Sequence, residues 1–592
     1  MINYVFYSIY LMLLLTINLT HVCMLAPIPF FIAEACLQSV FEMALIAYLG
    51  SFIKSKMGGL IYIGGAFLLL MIHLIDFILA RVMSMNFWFT LDLMLEESLE
   101  NFIEMLLLTG VPPLTWGLLF VGSASLLIIL SFVVHRMSFR SGRLVKREVF
   151  FRLLCVLPLA SLFLGLGKLP SPYEYQKGVE TLPFKHSLVV QNLPQLQLNE
   201  SLHIFPKNTQ QVTPLTKKPN LYLVISESLR EDYLTEETAP SLVQFRNENI
   251  KVSRTFSNAN ATHNSWFSIF HSRLPFHWQS TNSGSVPLVK LKEMGYKVRV
   301  YSSAQLKYYH MDQNLFGENL SLIDHFQSFP HYPPHEAWLS DAAAVEHMMN
   351  DLDIHREGTV FIVFLDATHF EYSWPSHFPI KFTPVDRDKT HIRLSSRDKE
   401  TAFIENRYKN SISYADHLMG LFFGALKSKG LYEEAMIVFT GDHGEEFYEE
   451  GHLFHASHLS AMQISPPIYY KLGDNSRYHA LPIKPQMTSH IDIFPTLFDA
   501  LGAQNLELDG QSLFAENRWP YVVVTRYHGA RAPFEFCLID GMQKVTFRFL
   551  DRKKIFSSKK LEVVSIQNME DKHLNNFNIK DFDLALQKLF CK

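Results

Sequence analysis

Residues with the right chemistry for a metal or phosphate site fall in a few short polar stretches of this 592-residue chain. One is Gly441-Asp442-His443-Gly444-Glu445-Glu446. Two others are Ser226-Glu227-Ser228 and Ala367-Thr368-His369. Carboxylate oxygen and imidazole nitrogen together suit Zn²⁺, with Mn²⁺ at the harder end. An isolated Asp-His-Gly also fits a polar turn with glycine at positive φ. Three such stretches in one chain point instead to a metal site.

Two further stretches carry possible reacting groups. Asn258-Ala259-Asn260-Ala261-Thr262-His263 runs into the apolar segment 266–270, so a helix is expected to start near Thr262. A hydroxyl there can cap the helix, and the local residues favour that role. It can also act as a nucleophile, where backbone N–H groups stabilise an incoming anion. Glu449 to His458 places His452, His455 and His458 within seven residues. One of these three is expected to serve as a ligand or phosphate donor.

The polar stretches follow apolar runs. Segments 220–225, 296–302, 359–366 and 435–440 are nearly continuous runs of apolar residues, as in strands buried on both faces. Helical patterns lie at 286–294, 336–353 and 401–427, the last stopped by Gly430. Alternating strands and helices argue for an α/β layered domain. Ligands in such folds bind beyond the carboxyl ends of the strands, where the three stretches fall.

The remainder of the chain has a different composition. Residues 1–168 hold 10 Lys+Arg and 9 Asp+Glu, against 53 and 57 in the whole. Five apolar runs there are long enough to span a bilayer: Tyr4–Leu25, Ile28–Gly50, Gly59–Ala80, Trp116–Val134 and Val149–Gly167. Glu34, Glu42 and Asp76 lie inside them and are expected to face other helices. Lys54 and Lys56 mark one cytoplasmic loop; Arg136, Arg140, Arg143, Lys146 and Arg147 mark another. That places the N-terminus in the cytoplasm and everything after Gly167 outside it. Segment Leu91–Leu108 has helical spacing suited to lying on the outer membrane face. Residues 169–218 read as a linker rich in Pro, Gln and Asn, leaving 219–592 as the outer domain. Cys537 and Cys591 fall in that domain and could pair in an oxidising compartment. A net charge of -4 argues against a nucleic-acid partner.

Taken in order, Ser-Glu227-Ser, Asn-Ala-Thr262-His-Asn-Ser, Asp366-Ala-Thr-His369 and Gly-Asp442-His443-Gly-Glu-Glu resemble the alkaline phosphatase/sulfatase superfamily. Arg407-Tyr408-Lys409-Asn410 through Asp416, and Thr488-Ser489-His490 through Leu497, match it too. The likeness is to its membrane-anchored members: lipid A phosphoethanolamine transferases, lipoteichoic acid synthases and YejM/PbgA-like proteins. The resemblance implies a five-span α-helical membrane domain followed by an α/β alkaline phosphatase-like or sulfatase-like globular domain. It implies one divalent metal, Zn or Mn, held by Glu227, Thr262, Asp442 and His443, with Thr262 the nucleophile. It implies that His369 and His455, and more weakly His452, hold a substrate phosphate or a second metal. The implied location is a bacterial inner membrane with the large domain periplasmic. The implied activity is transfer of a phospho-head group, phosphoethanolamine or phosphoglycerol, from a membrane phospholipid donor to an envelope glycolipid or glycan acceptor. A hydrolase, or a catalytically inactive lipid-binding regulator, are its alternatives. The Cys-x-Pro-x-Arg context of sulfate ester hydrolysis is missing around Thr262.

Overall fold

The computed structural model describes residues 4–25, 28–83, 86–88, 91, 113–140, 146–169, 183–184, 218–250, 252–278, 284–307, 310–329, 336–370, 372–385, 397–474, 476, 487–503, 508–516, 518–527, 533–549, 561–575 and 579–590. Segment Leu91–Leu108, the linker and Cys591 therefore lie wholly or largely outside the described residues. The chain divides into two compact units, an N-terminal helical one and a C-terminal α/β one.

In the helical unit, α1 (Tyr4–Leu25), α2 (Pro29–Gly50), α3 (Lys56–Met83), α4 (Pro113–Arg140) and α5 (Arg147–Gly165) coincide with the five apolar runs. Four of them, all but α4, are long and apolar enough to cross a membrane, judged by length and composition. The described apolar stretch of α4 is the shorter Val121–Arg136, so the expected count of five becomes four on this criterion. Outward-facing Leu, Ile and Phe are exposed along these helices, for example Ile61, Leu118 and Phe163. Apolar exposure of this extent suits lipid and not water.

The α/β unit is built on a six-stranded sheet. Its strands are β1 (Leu221–Ser226), β2 (Lys297–Ser302), β3 (His325–Ser328), β4 (Thr359–Leu365), β5 (Met436–Gly441) and β6 (Ile468–Lys471). Their order is β3-β2-β4-β1-β5-β6. All pairings are parallel except β5 with β6, which makes the sheet mixed. The four strongly apolar runs gave β1, β2, β4 and β5. The half-exposed β3 and the edge strand β6 were not legible as strands.

The central strands are buried on both faces, as their unbroken apolar runs require. Tyr222, Val224, Phe361, Val363 and Phe439 pack on one face with α6 (Pro240–Glu248), α9 (Ala337–Asp351) and α10 (Arg397–Ser428). Leu223, Ile225, Val300, Ile362 and Val438 pack on the other with α7 (Thr262–His271) and α8 (Val286–Glu293). Burying each large apolar side chain contributes about 1.5–3 kcal/mol, which fixes the strand register. A second, antiparallel sheet follows: β7 (Val522–Tyr527), β8 (Pro533–Ile539), β9 (Gln543–Phe549) and β10 (Leu561–Asn568).

Candidate metal centre

Parallel pairing of β1 with both β4 and β5 brings three strand ends side by side. Ser226 is level with Leu365 on one flank and with Gly441 on the other. Glu227 therefore follows β1, Asp366 to His369 follow β4, and Asp442 and His443 follow β5, all at one edge of the sheet. The turn after β1 is held rigidly. Ser228 sits at φ 54°, Tyr408 O–H donates to its carbonyl at 2.7 Å, and Thr368 Oγ1 donates to the Glu227 carbonyl at 2.6 Å.

Thr262 arrives from the other side. Helix α7 is capped by Ala261 in extended conformation, and no side chain caps it. The expected N-cap role is thus overturned. The Thr262 hydroxyl donates to Glu227 Oε1 at 2.8 Å and lies 3.2 Å from His443 Nε2. Two asparagines hold the preceding segment extended. Asn258 Nδ2 donates to the Val523 carbonyl, and Asn260 Nδ2 donates to the His458 carbonyl and Gln463 Oε1. These tethers explain the polar Asn-Ala-Asn-Ala run before an apolar helix.

Glu227, Asp442 and His443 present ligand atoms within 4.8 Å of one another, and all three residues are buried. His443 Nδ1–H donates to the Gly444 carbonyl at 2.9 Å. This leaves a lone pair on Nε2, which faces Glu227 Oε1 at 3.4 Å and Asp442 Oδ2 at 3.5 Å. Asp442 Oδ1 accepts from the Ser228 and His443 N–H groups. Among the described residues, Asp442 Oδ2 is buried without a hydrogen-bond partner. Burial drives the carboxyls of Glu227 and Asp442 up and His443 down; the Glu227 charge raises Asp442 further. Two carboxylates, an imidazole lone pair and a hydroxyl oxygen, one oxygen among them orphaned, fit a divalent cation.

A second cluster shares Glu227. It joins His369 and His455, again with ligand atoms within 4.8 Å. The His443 and His455 rings lie 4.1 Å apart, and the His369 and His455 rings 5.9 Å. Burial opposes charge on His455, yet Glu445, with Glu227 and Asp442, pushes it up to about 9. The geometry does not bring His452 into either cluster. Its ring stacks on His458 at 5.2 Å and its N–H donates to Glu446.

The two glutamates after Asp442-His443-Gly444 have separate jobs, which the sequence reading left unassigned. Glu445 Oε1 accepts from His455 Nδ1 at 3.1 Å, and Oε2 accepts from Tyr372 O–H at 3.0 Å. Glu446 accepts from the Glu450 and His452 N–H groups, Ser460 Oγ and Gln463 Nε2, and so shapes the loop that carries His455. Gly444 is not at positive φ, contrary to the turn reading. A Cβ there would sit 1.8 Å from the Met462 carbonyl oxygen, so close backbone approach is what demands glycine. His490 Nε2 reaches the Gly441 carbonyl at 2.9 Å and Tyr408 holds the Ser228 carbonyl, so both matching outer stretches contact the strand-end turns, while Asp416 caps α6.

Residues 219–503 match the family model described as Sulfatase. The chain is 24% identical over 280 residues to the Kdo(2)-lipid A phosphoethanolamine 7''-transferase of Salmonella typhimurium, covering 45% of this chain and 46% of that one. It is 24% identical over 356 residues to the lipoteichoic acid synthase-like protein YvgJ of Bacillus subtilis, covering 54% of each. The chain spans about half the length of the curated relatives it matches. Among solved structures, the lipoteichoic acid synthase LtaP of Listeria monocytogenes aligns over 64% of this chain and 94% of that one, at 17% identity and a TM-score of 0.43. The periplasmic domain of EcEptC from Escherichia coli, solved with Zn, aligns over 56% and 96%, at 16% identity and a TM-score of 0.42. The matched residues 219–503 carry the whole six-stranded sheet and the Glu227, Asp442 and His443 cluster, so the likeness to the Sulfatase model covers the candidate metal centre.

Proposed function

We propose that this chain is a metal-dependent phospho-group transferase that works through a phosphothreonine at Thr262. The observation that carries the reading is the Thr262 hydroxyl, which does not cap its helix and instead donates to Glu227 beside the lone pair of His443. Glu227, Thr262, Asp442 and His443 would hold one divalent cation, Zn or Mn. Bound there, it would supply Lewis acidity and lower the pKa of the hydroxyl.

The chain's own residues divide the remaining work. Glu227 accepts the proton of Thr262 Oγ1. The Oγ1–phosphorus bond forms as the phosphorus–oxygen bond to the lipid glycerol breaks, and diacylglycerol leaves with the proton that Glu227 took up. His455, held by Glu445, and His369 face the same space and donate to the phosphate oxygens. An acceptor hydroxyl then attacks phosphorus and gives its proton to Glu227, and Thr262 Oγ1 departs and takes that proton back, which restores the enzyme. The head group is phosphoethanolamine or phosphoglycerol, and the acceptor an envelope glycolipid or glycan. The relatives named for phosphoethanolamine transfer and lipoteichoic acid synthesis support this class. Four apolar helices and the Lys/Arg-marked loops support a bacterial inner-membrane protein with the α/β unit outside the cytoplasm. Anchoring raises the effective concentration of an insoluble donor.

The test is mass spectrometry of the Thr262 peptide from full-length protein in growing cells. A phosphoethanolamine or phosphoglycerol adduct is expected. No adduct, together with unchanged donor turnover in Thr262→Ala, would overturn the reading and favour a regulator.

A further inference from the structure

Three buried carboxylates inside the helical unit have no part in the reading above. Glu34 and Glu42 lie on α2 and Asp76 on α3, and α1 and α2 contain no Lys or Arg. Ionisable groups at such positions are costly and mark sites. Around Glu42 the polar groups satisfy one another. Glu42 Oε1 accepts from Tyr10 O–H at 2.8 Å, and Oε2 accepts from His73 Nε2 at 3.0 Å. His73 Nδ1 meets Asn18 Oδ1 at 2.9 Å, and Asn18 Nδ2 donates to Ser39 Oγ at 3.0 Å.

The neighbouring pair is left open. His21 on α1 and Asp76 on α3 are both fully buried, and their nearest atoms, Nδ1 and Oδ2, stand 3.7 Å apart. That is beyond hydrogen-bond range. Among the described residues neither ring nitrogen of His21 nor Asp76 Oδ2 has a hydrogen-bond partner. Asp76 Oδ1, in contrast, accepts from Phe87 N–H at 2.7 Å. A neutral imidazole carries a lone pair on one ring nitrogen; with that lone pair on Nδ1, His21 and Asp76 Oδ2 form an acceptor pair, which wants a donor with several N–H bonds and positive charge. A divalent metal is a poor fit, because one carboxylate and one imidazole are too few ligands.

The depth of the pair says where the donor comes from. His21 lies four residues before the end of α1 and Asp76 seven before the end of α3, about 6 and 10 Å along the axis. Counted from the helix ends, such a depth fits the zone between headgroups and acyl chains better than the bilayer centre. Aromatic groups gather at the same end: the Phe184 ring is 5.4 Å from the His73 ring and 5.9 Å from that of Trp88. Rings at this level suit an interfacial cation. We propose that His21 and Asp76 form a binding site, within the helical unit, for the primary ammonium group of a membrane phospholipid headgroup.

The experiment uses the full chain in phosphatidylglycerol nanodiscs doped with phosphatidylethanolamine or with phosphatidylcholine, whose quaternary ammonium has no N–H. Native mass spectrometry counts the lipid retained. Phosphatidylethanolamine should be retained roughly 10-fold over phosphatidylcholine. Asp76→Asn, which keeps an acceptor for Phe87 N–H, and His21→Ala should each abolish the preference. Thr262→Ala should keep it, so failure here and failure of the transferase reading are separable. A rise in melting temperature with free ethanolamine would show that the headgroup alone suffices; retention without that rise would assign the site to the intact lipid. Equal retention of the two lipids, or a preference that survives in folded Asp76→Asn, overturns the proposal. A more thermostable Asp76→Asn with unchanged lipid content overturns it too, and assigns the gap to a proton or water.

Discussion

The Thr262 hydroxyl donates to the Glu227 carboxylate across 2.8 Å, although the two residues are 35 apart and come from a helix start and a strand end. The bond needs α7 to begin at Thr262 itself. A register shift of one residue would rotate the hydroxyl by about 100° around the helix and out of reach.

This contact sets the first prediction. Thr262→Ala should lower donor turnover by at least about 1,000-fold with the protein still folded, since the reaction loses its attacking atom. Thr262→Ser keeps the oxygen and should retain measurable turnover and a labelled residue 262. Radiolabelled phospholipid and peptide mass spectrometry read both.

Metal content offers a check independent of activity. The purified chain should carry about one divalent ion, and chelation should lower its melting temperature, because a ligand of the folded state stabilises by mass action. Asp442→Asn should weaken metal affinity by at least about 100-fold, measured by elemental analysis and competition with a chromogenic chelator.

On the proposed mechanism Glu445 positions His455. It touches His455 and Tyr372 and not the reacting atoms. Glu445→Gln should lower kcat about 10- to 100-fold with the metal content and melting temperature nearly unchanged. A parallel loss of metal would mean that the residue only supports the fold.

Gly444→Ala should disrupt the turn. The added methyl meets the Met462 carbonyl oxygen at 1.8 Å, and that atom is backbone. Overpacking of this kind costs about 1–3 kcal/mol or more. Denaturant unfolding of the α/β unit should register it, together with lower occupancy at Asp442 and His443.

Asp341 gives a pH signature. Burial lifts its carboxyl to about 6, while it accepts from the Asp366 and Ala367 N–H groups at the end of β4. A folded pKa above the unfolded one means that its contribution is full below pH 4 and is lost as pH rises through 6. Asp341→Asn should therefore gain stability relative to the parent between pH 4 and 7, by on the order of 2–3 kcal/mol. A constant difference across that range would refute the assignment.

Composition and apolar runs alone separated the chain into a lipid-facing part and an α/β part, because burial on both faces writes continuous runs for β1, β2, β4 and β5. The same runs put Glu227, His369, Asp442 and His443 at strand ends. The membrane carboxylates Glu34, Glu42 and Asp76 were visible as anomalies for the same reason. What the sequence left open was which atoms meet. The residues around Thr262 favoured a cap, and only the extended Ala261 and the contact with Glu227 decided otherwise. His452, His455 and His458 looked alike until Glu446 shaped their loop and Glu445 caught one ring. Gly444 looked like a positive-φ turn residue, yet its constraint is a carbonyl 18 positions away in the chain. Strand ends follow from local patterning, whereas side-chain partners follow from parallel pairing between segments more than a hundred residues apart, such as β1 with β4 and β5. No local signal encodes that distance.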